Sequence, residues 1–113
     1  MLNHIVMAGR LTRGPELRNA RDTPVCSFRI ACDRDYKNKD GEKETDFVEV
    51  VVWRKLAETV EKYVHTGDMI YVEGKIQSRS YEDKQGITRY ITEVWADDLK
   101  LFSTKKDSTP ANG

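Results

Sequence analysis

The chain is 113 residues long, 38% apolar and 34% charged, with 19 basic and 19 acidic side chains and a formal net charge of zero. That length fills one small core and leaves no room for two ordinary domains. No run approaches the roughly 18 apolar residues of a membrane helix, and two cysteines are too few for a disulfide-stapled fold. Met1 to Leu11 has neither the apolar stretch nor the small-residue cleavage site of a signal peptide, so a cytoplasmic protein is the default expectation.

The zero net charge hides a polarised distribution. Residues 1 to 39 carry eight bases against four acids, residues 40 to 73 four against nine, and residues 74 to 113 seven against six. A basic groove is compatible with a neutral total.

In chain order, Leu2 to Leu11 is a β-like run that Gly14-Pro15 should break. Pro24 to Cys32 alternates, with Cys26, Phe28, Ile30 and Cys32 on one face, the period of a half-buried strand. Both cysteines on one strand, six residues apart, would be roughly 20 Å apart, so free thiols are expected. Lys37 to Glu44 contains Asp40-Gly41 and reads as a hairpin loop. Phe47 to Trp53 puts Val48, Val50 and Val52 on one face and Phe47, Glu49, Val51 and Trp53 on the other. Arg54 to Val64 has helical spacing at Ala57, Val60 and Val64, with Gly67 as the stop signal. Met69 to Ser80 is a strand with a bend or bulge at Gly74. Asp83 to Gly86 turns it, Thr88 to Ala96 returns, and Leu99 to Phe102 closes the domain. Ser103 to Gly113, rich in polar residues, should be a disordered tail. Three strands, a helix and two more strands in about a hundred residues is the order of an OB-fold: all-β with one helix, a five-stranded barrel with a long protruding hairpin.

Catalytic signatures are missing: there is no P-loop, G-x-G-x-x-G, H-E-x-x-H or G-x-S-x-G. Cys26, Cys32, His4 and His65 have no zinc-site spacing. A metal-dependent OB-fold nuclease would need gathered carboxylates, but most acids here fall in turns. No cofactor, metal or catalytic residue is expected.

Aromatic and basic residues interleave instead. Tyr36 lies among Arg34, Lys37 and Lys39; Phe47 and Trp53 share a strand face followed by Arg54 and Lys55; Tyr81 stands beside Arg79 and Lys84. Aromatic faces stack on any base and cations follow phosphates, the combination required for sequence-tolerant binding of single strands. Cross-strand packing pairs are the competing explanation of such aromatics. Phe47 and Trp53 opposite an all-valine face favour binding, because a core does not need both faces.

Three segments carry a resemblance. Asn3 through Leu11 with Gly14-Pro15-Glu16-Leu17-Arg18, Phe47 through Glu58, and Tyr71 through Ile76 with Arg79 through Asp83, Gly86 and Arg89 through Val94 resemble bacterial single-stranded DNA-binding proteins, from about Asn3 to Phe102. The resemblance implies an OB-fold domain over residues 1–102, a homotetramer, and single-stranded DNA bound during replication, recombination, repair or DNA uptake. It implies base stacking by Tyr36, Phe47, Trp53 and Tyr81, with Trp53 the only stacking tryptophan. It assigns phosphate contacts to Lys55 and Arg79, and local context adds Arg10, Arg34 and Lys37. A nucleoid-associated protein of the cytoplasm, without a membrane partner, follows.

Two departures stand out. Glu49 shares the expected DNA face, where a carboxylate repels phosphate unless Arg or Lys pairs it; a cross-strand ion pair is the alternative. Family members typically run on into a linker and an acidic tip that recruits replication and repair proteins. Here the residues after Phe102 include Lys105, Lys106 and Asp107 and end at Ala111-Asn112-Gly113, so tail-mediated recruitment is not expected. The sequence resembles short forms found as second copies linked to natural competence, or on phages and mobile elements, and a truncated chain is equally compatible. Three other classes remain open: a dimeric primosome-type OB protein, an OB barrel that binds a polypeptide, and the nuclease.

Overall fold

The alternating segments close on themselves. A computed structural model describes residues 1–103; the expected tail beyond Ser103 lies outside them. The elements are β1 (Ile5–Ala20), β2 (Thr23–Lys37), β3 (Lys43–Trp53), α1 (Arg54–Tyr63), β4 (Met69–Glu82) and β5 (Thr88–Ser103), and the strands form a closed barrel in the order β1-β2-β3-β5-β4. This is the five-stranded OB architecture anticipated from element order. All pairings are antiparallel except β3 with β5, which meet side by side at Val50–Val94 and Val51–Trp95.

On β2 and β3 the inward faces are those the alternation predicted, and β4 adds Ile70 and Val72. Phe28, Ile30, Val50, Val52, Ile70 and Val72 are fully buried, and α1 adds Ala57 and Val60. Burying each of these larger aliphatic and aromatic side chains contributes about 1.5–3 kcal/mol. Cys26 is buried and free, and burial pushes its thiol up to about 11, so it is an inert core residue at neutral pH. Cys32 is also free, and its thiol donates to the Ala8 carbonyl oxygen at 3.3 Å.

Several boundaries differ from the sequence reading: β2 runs on to Lys37, β3 begins at Lys43 and β4 runs on to Glu82. β1 does not stop at Gly14-Pro15. It continues to Ala20 through register irregularities between Leu11 and Arg13 and between Arg13 and Glu16. Bulges accommodate a proline, which cannot donate to the ladder, and they bend the strand. The bend lets β1 pair with β4 over Ile5–Arg10 and with β2 from Arg10 onward, which closes the barrel. The reversal comes at Arg21-Asp22, both at positive φ (53° and 64°), a two-residue hairpin turn without glycine.

α1 ends at Tyr63, capped by Val64, whose N–H donates to the Val60 carbonyl. Gly67 (φ 97°) belongs to the next turn, where its N–H donates to the Leu11 carbonyl at 2.8 Å. β5 is one strand rather than two. Glu73 pairs with Asp98 and Gly74 with Ala96, so Asp97 is the extra residue of a bulge. A Cβ at Gly74 would fall 2.1 Å from the Trp95 carbonyl oxygen, so only glycine permits this approach. No helix among the described residues is long and apolar enough to cross a membrane.

Candidate nucleic-acid interface

Alternation fixes what the barrel's outer face displays. With Val48, Val50 and Val52 turned to the core, β3 turns Phe47, Glu49, Val51 and Trp53 to the other face, where Phe47 is exposed but Val51 is buried between its neighbours. The register sets Ala31, Arg29, Ser27 and Val25 of β2 opposite these four. On the other side Val51 meets Trp95 of β5, and Trp95, Glu93, Ile91 and Arg89 stand opposite Lys75, Gln77, Arg79 and Tyr81 of β4.

At the centre lies a cleft of about 590 Å³ whose walls include Arg13, Arg18, Arg29, Arg79, Trp53 and Trp95. Its charged residues are four arginines and two glutamates, Glu49 and Glu93. Both glutamates are paired. Glu49 accepts from Arg13 Nη2 at 2.7 Å and from Arg29 Nε at 2.5 Å. Arg29 is its direct register partner, the cross-strand ion pair weighed from the sequence. Glu93, only 6% exposed, accepts from Arg79 Nε at 3.1 Å and from the Trp95 indole N–H at 3.0 Å, both on Oε1. The cleft thus keeps a net positive charge while each carboxylate is neutralised locally.

The anticipated residues distribute unevenly. Phe47 (61% exposed), Trp53 and Tyr81 (45%) lie on the outer face described above, and Arg79 lines the cleft with Trp53. Tyr36 is also exposed (66%), near the end of β2 within a register irregularity between Asp33 and Lys37. Lys37 is the last residue of β2, opposite Lys43. Arg10 donates to the Gly67 carbonyl at 2.7 Å, outside the central cleft. Lys55 lines a different, open cleft with Arg54, Asp22 and Glu58 at the start of α1. Arg34 lies on the face opposite Phe47, where it donates to both Asp46 oxygens and to Glu44. Its hydrogen bond to Asp46 holds that carboxyl below the usual range and Arg34 above its own. Arg34 is therefore the expected contact most fully committed to intramolecular partners.

Residues of the cleft that were not anticipated include Arg13, Arg18, Arg29, Glu93 and Trp95. Arg29 was legible, because it alternates with the core residues Phe28 and Ile30. Arg13 and Arg18 were hidden by reading Gly14-Pro15 as the end of β1. Trp95 lies on a strand the sequence predicts, but its contact with Trp53 depends on a parallel pairing the sequence does not announce. Among the described residues no group of three or more His, Cys, Asp or Glu side chains is arranged to hold a metal ion.

The family model for the single-strand binding protein family matches residues 2–102. The chain belongs to the single-strand binding protein family. Members are DNA-binding proteins without catalytic chemistry. Over 109 residues it is 40% identical to the single-stranded DNA-binding protein of Lactiplantibacillus plantarum, covering 96% of this chain and 54% of that one. It is 42% identical over 110 residues to single-stranded DNA-binding protein 1 of Streptococcus pyogenes, covering 96% and 84%. The chain thus spans about half the length of the first relative and most of the second. A solved structure, the Plasmodium falciparum SSB in complex with single-stranded DNA, superimposes with a TM-score of 0.82 at 22% identity, over 91% of this chain and 97% of that one. That likeness establishes the shared fold.

Proposed function

We propose that this single-strand binding family member holds single-stranded DNA across the outer face of β2, β3, β5 and β4, without regard to sequence. The observation that carries this reading is the conjunction of exposed Phe47 and Tyr81 with the arginine-lined cleft around Trp53. Stacking supplies about 1–3 kcal/mol per base and every base has a face to stack. Arg13, Arg18, Arg29 and Arg79 attract the backbone, whose bound counterions are released on contact. Tyr36 and Lys37 at the far end of β2, and Lys55 with Arg54 beside α1, extend the track on either side. Its use in replication, recombination, repair or DNA uptake follows from single-strand protection.

Self-association into a homotetramer is part of the same proposal. Ile5–Met7 of β1 pairs with β4 and precedes both the Ala8 carbonyl that Cys32 covers and the pairing with β2 that begins at Arg10, so one edge of this short segment is open. Exposed Val6 (49%) and Phe102 (58%) lie close to it, with the Phe102 and Tyr71 rings 6.0 Å apart. An open edge beside apolar side chains favours pairing with another copy.

Anisotropy of a labelled thymidine oligomer, a mixed-sequence oligomer and an equal-length duplex tests the DNA reading. Similar affinity for both single strands and little for the duplex is expected. Duplex preference overturns the reading, and shortening of the oligomer on adding magnesium would identify a nuclease instead.

A further inference from the structure

We infer that Trp95 is a second base-stacking tryptophan and that Glu93 positions it. The inference rests on the single-stranded DNA reading and revises the expectation that Trp53 alone stacks. Trp53 and Trp95 pack with ring centroids 5.2 Å apart and planes inclined by 55°. Both line two clefts: the arginine-rich one, and a neighbouring one of about 360 Å³ completed by Leu56, Lys75, Ala96 and Asp97. The indole pair is therefore a wall reached from both sides. A base stacked there occupies a subsite beyond the strip from Phe47 to Trp53, and Lys75, the register partner of Trp95, stands beside it for the next phosphate.

Three contacts fix Trp95. Its indole N–H donates to Glu93 Oε1 at 3.0 Å, its ring leans on Trp53, and its carbonyl lies against Gly74 at a distance no side chain would allow. Glu93 is buried, and its charge is answered by Arg79 on the same oxygen. A buried carboxylate on a phosphate-binding face is costly unless it is satisfied in this way. It fastens an indole and a guanidinium together, so the stacking surface and a phosphate-facing cation keep a fixed relation. A platform ordered before DNA arrives loses less conformational freedom on binding.

Trp53→Phe keeps an aromatic face and leaves Trp95 as the sole fluorophore. Its emission should fall on titration with poly(dT), saturate at the nucleotide ratio at which a labelled oligomer's anisotropy saturates, and recover in high salt. Unchanged emission while anisotropy rises overturns the inference and leaves the DNA reading standing; no anisotropy rise with the unaltered protein overturns that reading itself. Trp95→Leu should weaken binding about tenfold, with unchanged circular dichroism, and unaltered affinity contradicts the stacking role. For Glu93, the readout is the emission anisotropy of Trp95 in the Trp53→Phe background. Glu93→Leu should lower it and Glu93→Gln, which keeps the acceptor, should restore it. Equal values for both variants contradict the positioning role.

Discussion

Glu49 places a carboxylate between exposed Phe47 and half-buried Trp53, and its partners Arg13 and Arg29 come from two other strands. The ion pairs leave the net charge of the cleft positive but occupy part of each guanidinium that phosphate would use. Replacing Glu49 by Gln removes one negative charge without removing an acceptor. Binding to a thymidine oligomer at low salt should tighten severalfold, and the salt slope should steepen by up to about 0.7, the single-strand value per phosphate contact. Weaker binding would mean that Glu49 serves chiefly to hold the arginines in place. Phe47→Ala and Tyr81→Ala should each cost about 1–3 kcal/mol of affinity, read by the same anisotropy titration, whereas Arg34→Ala should change it little because Asp46 and Glu44 already hold that side chain. At this scale the sequence was informative wherever strand alternation decided a face, as for Phe47, Trp53 and Arg29. It was silent where pairing between strands distant in the chain decided a neighbour, as for Trp95 beside Trp53.

Each element's behaviour depends on a small number of backbone positions. The β4–β5 hairpin is held at its base by Gly74 against Trp95 and at its tip by Asp83. Gly74→Ala introduces a Cβ into the Trp95 carbonyl, and neither backbone can yield without parting the strands. Overpacking of this kind costs about 1–3 kcal/mol or more, visible as a lower denaturant midpoint accompanied by weaker DNA binding. Asp83 accepts the Ile87 and Gln85 backbone N–H groups and Arg89 Nε. The hydrogen bond from Ile87, followed by that from Arg89, holds its carboxyl below the usual range. A depressed folded-state pKa gives stabilisation that is complete above the unfolded value of about 3.9 and disappears as pH falls through the folded one. Amide protection at Gln85 and Ile87 should therefore persist to below about pH 4 in the native protein and be weakened at every pH in Asp83→Ala, which lacks the acceptor. Both hairpin glycines were legible as turns. The Arg21-Asp22 turn was not, because two non-glycine residues at positive φ have no sequence signal as strong as Gly-Pro, which here lies inside a strand.

The barrel as a whole separates two surfaces. One carries the aromatic and arginine-rich face; the other carries the open edge of β1 with Val6, Tyr71 and Phe102. Val6→Glu sets a charge beside Glu73, its register partner on β4, and should shift sedimentation toward smaller species while the far-ultraviolet circular dichroism stays unchanged. An unchanged sedimentation coefficient would contradict the proposed self-association through this edge. The five-stranded OB class was legible from the order of strands and helix along the chain, whereas the neighbour order β3-β5-β4 was not. The bend that lets β1 serve two neighbours was not, since it depends on bulges that leave the apolar pattern intact.

Binding of single strands across the aromatic face is tested most directly by intrinsic tryptophan fluorescence of the unaltered protein, titrated with poly(dT) at low and high salt and with an equal-length duplex. Quenching by the single strand alone is expected, with an affinity that falls by a slope of about −3 against log salt if four arginines each meet a phosphate. Unquenched emission at concentrations where a labelled single strand is bound would place the DNA elsewhere on the barrel and contradict the account.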